Sequence, residues 1–147
     1  MKVLLINGPN LNLLGTREPE VYGKTTLQDI EGSIQEYFQS NDFQCDCFQS
    51  NHEGKIIDYL HENRSADFII INPGGLTHTS VSLRDALASI ETPFIEVHIS
   101  NIHARESFRH FSYLSAISSG TIVGCGVYGY RMAADLIIQQ LTIVQNK

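Results

Sequence analysis

Phe68-Ile69-Ile70-Ile71-Asn72-Pro73-Gly74-Gly75 is the stretch that decides how this chain is built. Successive side chains of a strand point to opposite sides, so four apolar residues in a row leave no face for water. A strand of a parallel sheet, covered by helices on both faces, needs such a run. The following Asn-Pro-Gly-Gly is a strong turn signal and ends it sharply. Val3-Leu4-Leu5-Ile6, stopped by Asn7-Gly8-Pro9-Asn10, repeats the design. Working outward, Phe43–Phe48, Phe94–Val97 and Thr121–Val123 read as further strands, five in all. Leu27–Phe38, Ile56–Leu60, Val81–Ile90, Phe111–Ser115 and Ala133–Val144 read as helices, several with i, i+3, i+4 apolar spacing such as Ile30, Ile34, Tyr37 and Phe38. Thr25 with Gln28, or Thr26 with Asp29, can cap the first of them. Pro93 suits the entry to the fourth strand.

Strands alternating with helices predict an α/β fold: a parallel sheet joined by right-handed crossovers. Five strands in a short chain suit a flavodoxin-like doubly wound sheet of order 2-1-3-4-5. With 147 residues and no composition break, repeat or low-complexity segment, one catalytic domain over residues 1–147 is expected. This winding places ligands beyond the carboxyl ends of strands one and three, where its direction reverses.

Composition narrows the function. A net charge of -6 and a pI of about 5.4 argue against a nucleic-acid partner, which calls for a basic stripe. No apolar run approaches the ~18 residues of a membrane span. The apolar start stops after Ile6, short of the ~7–15 residues of a secretory h-region. Three cysteines cannot all pair, and Cys45 and Cys47 are too close to bridge within one strand, so reduced thiols in the cytoplasm are expected. Charged residues are only 18%, against roughly 25% in an average soluble domain, which suggests that some surface meets other copies of the chain.

Three strand ends carry the chemistry. After the first strand, residues 7–24 form a connection far longer than the usual ~2–6 residues, and such loops tend to be functional. Arg17 and Tyr22 stand there between Gly15 and Gly23, which can hinge a lid. Free tyrosine, with a pKa near ~10, is a poor base, and an adjacent guanidinium favours its phenolate. The same pair also fits a surface arginine and a tyrosine packing down the loop. After the third strand, Asn72 and His78 face the expected crevice, and Thr79 or Ser80 caps the next helix. His78 alternatively only bonds a neighbouring loop. After the fourth, His98 is placed as a general acid, and strand alternation puts Glu96 on its face to orient it. Backbone amides at Ile99 and Ser100, with Arg109, can hold a carboxylate or hydroxyls.

Two other patterns carry less. Gly124-Cys125-Gly126-Val127-Tyr128-Gly129 satisfies G-x-G-x-x-G, but the 18 residues after Gly129 leave no room for the further βα unit of a nucleotide site. Tight turning and close helix packing explain these glycines. Cys45 with Cys47, or His98 with His103, lack a second pair to complete a zinc set. No metal is expected.

Taken together, the three segments resemble type II 3-dehydroquinate dehydratase, a lyase of the shikimate pathway of aromatic amino-acid biosynthesis. The resemblance rests on Asn7–Gly15 with Arg17-Glu18-Pro19 and Tyr22-Gly23; on Asn72-Pro73-Gly74, Thr77-His78-Thr79-Ser80 and Arg84-Asp85-Ala86; and on Glu96–Asn101 with Arg105-Glu106 and Phe108-Arg109. Gly75-Leu76 and Cys125 depart from the family's usual residues. The resemblance implies anti elimination of water from 3-dehydroquinate through an enolate, without cofactor or metal. In that scheme Tyr22 is the base, Arg17 stabilises its phenolate, and Asn10 holds the water or donor facing the enolate oxygen. His98 is the acid and Glu96 orients it. Asn72, His78, Ile99, Ser100 and Arg109 bind substrate, and Asp85 comes from a neighbouring subunit. The family's assembly is a dodecamer of four trimers. Independently, a Schiff-base route calls for a desolvated lysine. Lys2, Lys24, Lys55 and Lys147 all lie away from the expected buried strand ends.

Overall fold

Five parallel strands form one sheet: β1 (Lys2–Asn7), β2 (Gln44–Gln49), β3 (Phe68–Asn72), β4 (Phe94–His98) and β5 (Gly120–Val123). Their order is β2-β1-β3-β4-β5, the expected doubly wound arrangement. The helices are α1 (Pro19–Tyr22), α2 (Leu27–Gln39), α3 (Glu53–Glu62), α4 (Val81–Ile90) and α5 (Tyr128–Gln145). This computed structural model describes residues 1–16 and 19–147, with the backbone alone for Val21 and Tyr22.

The isoleucine run resolves as the two-sided burial rule requires. Phe68 and Ile70 pack with Val3, Leu5, Ile95 and Val97 beneath α2 and α5. Ile69 and Ile71 pack with Leu4 and Ile6 beneath α3 and α4. Each such Ile or Leu, removed fully from water, contributes roughly 1.5–3 kcal/mol. Because both faces of β3 are apolar, burial alone barely distinguishes its register from a one-residue slip. The polar ends decide it. The Gly8 N–H donates to the Asn72 carbonyl at 2.8 Å, and Asn7 pairs in register with Asn72. An added Cβ on Gly8 would lie 2.4 Å from the Pro73 carbonyl oxygen, so only glycine lets the β1 and β3 ends close together.

The caps select between the alternatives left open by sequence. Thr26 and Asp29 form the reciprocal box at the start of α2, and Ser80 accepts from Leu83 N–H at the start of α4.

One expected helix is absent. Residues 111–114 are irregular, and residues 99–119 cross from β4 to β5 through short 3-10 turns at Ile102–Ala104, Ser107–Arg109 and Ser115–Ile117. Ser112 explains this: its hydroxyl accepts from Leu114 N–H at 3.0 Å and Ser115 N–H at 3.1 Å, a local bonding pattern that competes with a helix. Leu114, Tyr113 and Ile117 still pack on the sheet face that a helix would have covered. The glycine-rich segment after β5 is a tight turn, with Gly124 at φ 82°, and Gly129 of α5 packs against Ile122 and Val97. Among the described residues, no helix is long and apolar enough to cross a membrane.

Candidate active site

A crevice of about 360 Å³ opens over the carboxyl ends of β1, β3 and β4, where the winding reverses. Of the residues expected from sequence, Asn10, Asn72, His78, His98, Ile99, Ser100 and Arg109 all line it. Glu96 lies directly beneath His98 and is fully buried. Asp85 is exposed on α4 and is not part of the crevice wall of its own chain. Arg17 and the side chain of Tyr22 lie outside the described residues.

The loop after β1 reaches the crevice through Asn10, which sits in the left-handed region at φ 72°. Asparagine tolerates that conformation better than most residues. Its N–H donates to Asn51 Oδ1 at 2.9 Å, tying the loop to the segment after β2. Both glycines that flank the segment expected to form a lid have positive φ, Gly15 at 82° and Gly23 at 77°.

Asn72 is anchored from behind. Its amide nitrogen donates to the Tyr130 hydroxyl at 2.9 Å, and its oxygen accepts from Gly74 N–H at 3.1 Å. Tyr130, fully buried on α5, donates in turn to Asn7 Oδ1 at 2.6 Å. Burial pushes the Tyr130 phenol upward, more than the Asn72 bond lowers it, so it stays neutral and both donates and accepts. The Asn72 amide is thereby held in one orientation, with one N–H left for the crevice.

His78 Nδ1 bonds the Phe111 carbonyl at 2.8 Å; a carbonyl only accepts, so Nδ1 carries the proton and Nε2 is left as acceptor. Its ring lies 6.4 Å, centroid to centroid, from that of His98, so the residue both makes the loop contact and faces the crevice. Arg109 donates through Nε to Glu106 at 3.1 Å, which leaves its other N–H groups available. Arg105, given no site role from sequence, also lines the crevice and donates to Ser100 Oγ at 3.3 Å.

The most constrained group is Glu96. A lone buried carboxylate costs several kcal/mol, so it must be compensated. Its Oε2 accepts from His98 Nε2 at 2.5 Å and from Thr77 Oγ1 at 2.7 Å. Ser115 Oγ donates to Oε1 at 2.7 Å, and Ser112 Oγ lies 3.1 and 2.9 Å from the two oxygens. Burial pushes the carboxyl upward, yet the bonds from His98, Thr77 and Ser115 together outweigh it and hold Glu96 below its ordinary value. The bond to Glu96 holds the His98 ring through Nε2, leaving Nδ1 as the ring nitrogen for the crevice.

Ser112 and Ser115 were missed by sequence reading. The one available signal was the charge itself: a glutamate in the middle of an apolar strand demands donors, without saying where they come from.

Comparison with known proteins agrees with this geometry. The family model described as dehydroquinase class II matches residues 1–138. The chain is 56% identical over 146 residues to a catabolic 3-dehydroquinase of Emericella nidulans, spanning 99% of this chain and 95% of that one. It is 53% identical over 145 residues to a 3-dehydroquinate dehydratase of Actinobacillus pleuropneumoniae, spanning 98% and 94%. Among solved structures, the type II dehydroquinase of Butyrivibrio crossotus superimposes with a TM-score of 0.89 at 50% identity, covering 92% of this chain and 96% of that one. That of Propionibacterium acnes does so with a TM-score of 0.89 at 39% identity, covering 94% and 96%. This chain belongs to the class II dehydroquinase family.

Proposed function

We propose that the crevice over β1, β3 and β4 is where this chain dehydrates 3-dehydroquinate to 3-dehydroshikimate, and that the residues named above divide the work. The observation that carries the reading is the buried Glu96–His98 pair opening into a crevice lined by Asn10, Asn72, His78 and Arg109. Its volume suits a small hydroxy acid, near the lower end of the ~300–1,000 Å³ usual for ligand sites.

Tyr22, as phenolate stabilised by Arg17, takes the proton from C2, and the electron pair passes to the carbonyl as an enolate. Asn10 holds the water or donor that faces the enolate oxygen, as an oxyanion hole does. The enolate then collapses to form the C1–C2 double bond and expels the C1 hydroxyl. His98 delivers its proton to that leaving oxygen, so it departs as water, while Glu96 keeps the imidazolium oriented. Arg109 and the amides of Ile99 and Ser100 receive the carboxylate, and Asn72 and His78 the hydroxyls. No lysine lines the crevice among the described residues, which supports an enolate over an imine.

In the same proposal, residues 1–147 act as one catalytic domain in the cytoplasm, within the shikimate pathway of aromatic amino-acid biosynthesis. The exposed Asp85 contributes to a neighbour's site, and the assembly is a dodecamer of four trimers.

Purified protein mixed with 3-dehydroquinate should generate the ultraviolet absorbance of a conjugated enone. Absence of turnover by well-folded protein rejects the reading. Tyr22→Phe and His98→Ala should each lower the rate at least ~100-fold, the usual scale for losing an acid or base. Borohydride with substrate should leave activity intact; a reduced lysine adduct would restore the imine route.

A further inference from the structure

Four donors converge on Glu96, and their protons can be assigned one at a time. A serine hydroxyl has one proton and two lone pairs. Both lone pairs of Ser112 are occupied by the N–H groups of Leu114 and Ser115. Thr77 Oγ1, 2.8 Å from Ser112 Oγ, therefore cannot donate to it, and its proton goes to Glu96 Oε2. Ser115 donates to Oε1, and the proton of Ser112 points to the carboxylate or to Thr77. A protonated Glu96 would need an acceptor for its own hydrogen, yet Thr77, Ser115 and His98 already donate to it and both lone pairs of Ser112 are taken. The proton on His98 Nε2 thus has nowhere to move.

We propose that Thr77, Ser112 and Ser115 are positioning residues of the dehydration: they keep Glu96 a pure acceptor, lock His98 as the Nε2–H form, and so reserve the exchangeable proton for Nδ1. This rests on the reading of His98 as the acid. Thr77 lies in the turn Gly74–His78, whereas Ser112 and Ser115 belong to the crossover after β4, which holds only short 3-10 turns, so that crossover is built to serve the acid. Among the described residues, the other titratable or charged groups around the pair are His78, Arg105 and Arg109 in the crevice, and His103 and His110, which share a surface cleft with Ser112 and Ser115. Arg84 of α4 is engaged with the Tyr113 carbonyl at 2.8 Å. All of them stay in place in the variants below, so their titrations are common to every comparison.

The test uses Ser115→Ala and Thr77→Val, with Ser115→Thr and Thr77→Ser as conservative partners that keep the hydroxyl. Ser112 is left alone because it also holds the turn. Two measurements are made on the full-length protein: the pH profile of kcat and KM on 3-dehydroquinate, and the nitrogen-15 titration of His98 without substrate. Loss of one hydroxyl donor to a carboxylate should move the acid limb of kcat upward by about one pH unit, hence about a tenfold loss of rate below that limb. KM should hold, and the hydroxyl-keeping variants should restore the limb. The substrate-free spectrum should show neutral His98 protonated on Nε2 in the unmodified protein.

A uniform fall in kcat at all pH values with an unmoved limb would make the hydroxyls merely structural and overturn the proposal. So would neutral His98 protonated on Nδ1. If the protein fails to turn over 3-dehydroquinate but is protonated on Nε2, and the His98 titration shifts on loss of either hydroxyl, the activity reading fails and the positioning role stands. Should Ser115→Ala not fold, Thr77→Val carries the same prediction, and a limb unmoved there is equally fatal.

Discussion

Tyr130→Phe removes one oxygen atom from the centre of the molecule, and the structure specifies its consequences. Tyr130 is fully buried, so water cannot replace the lost hydroxyl. Two bonds disappear: the one donated to Asn7 Oδ1 at 2.6 Å and the one accepted from Asn72 Nδ2 at 2.9 Å. Asn7 suffers more, because it is fully buried and its Nδ2 already has no partner among the described residues; the substitution takes away the bond that its oxygen accepts from Tyr130 as well. Asn72 keeps its bond from Gly74 N–H but loses the one that fixes its donor. Leaving a buried polar group unpaired costs roughly 1–3 kcal/mol, so two such groups set a loss of about 2–6 kcal/mol. A domain of this size loses about 2–4 °C of Tm per kcal/mol, placing the expected fall between about 4 and 24 °C.

Calorimetry and urea unfolding measure this directly. A second effect separates the network from ordinary core packing. The ring remains and no methylene is deleted, so a packing argument predicts little change. The Asn72 amide, no longer held, should bind substrate less well, and KM should rise more than kcat falls. Asn7→Val in the Tyr130→Phe background should recover part of the stability, because it removes the group left unpaired. A loss below about 1 kcal/mol with unchanged KM would show that these bonds are energetically idle and refute the reasoning.

The remaining expectations follow from other parts of the same structure. Glu96 has a folded-state pKa below its ordinary 4.5. A depressed carboxyl contributes stability that is fully present above its unfolded value and is lost as pH falls through the folded one. Urea midpoints should therefore hold near neutrality and drop below about pH 4.5, and Glu96→Gln should flatten that drop; an undiminished slope in the variant would contradict it. Gly8→Ala must push a methyl against the Pro73 carbonyl, where the gap is 2.4 Å, and should cost about 1–3 kcal/mol by unfolding and raise KM by parting the crevice floor. Size-exclusion chromatography should show an assembly; an active monomer would mean that the 18% charge content has no bearing on self-association.

Much of the architecture is local in origin and was legible for that reason. The two-sided apolar runs of Leu4-Leu5-Ile6 and Ile69-Ile70-Ile71 announce strands buried on both faces, and Asn72-Pro73-Gly74 announces where one of them stops. Strand-end placement of His98, with Glu96 two residues earlier, follows from a side-chain period of two that tertiary contacts cannot alter. Phe111–Ser115 was misread because apolar spacing over five residues does not register what serine hydroxyls do to the backbone.

Chain chemistry alone determined the five strands, most of the helices between them, the short sets of candidate caps, and the three strand ends where ionisable and amide side chains gather. Periodicity and turn propensity act over a few residues, so they are written in order along the chain. Only the tertiary structure decided which donors neutralise Glu96 and what holds Asn72. Ser115 reaches Glu96 across 19 positions and Tyr130 reaches Asn7 across 123. Hydrogen bonds at such separations are made by sheet order and helix placement, and no local pattern encodes them.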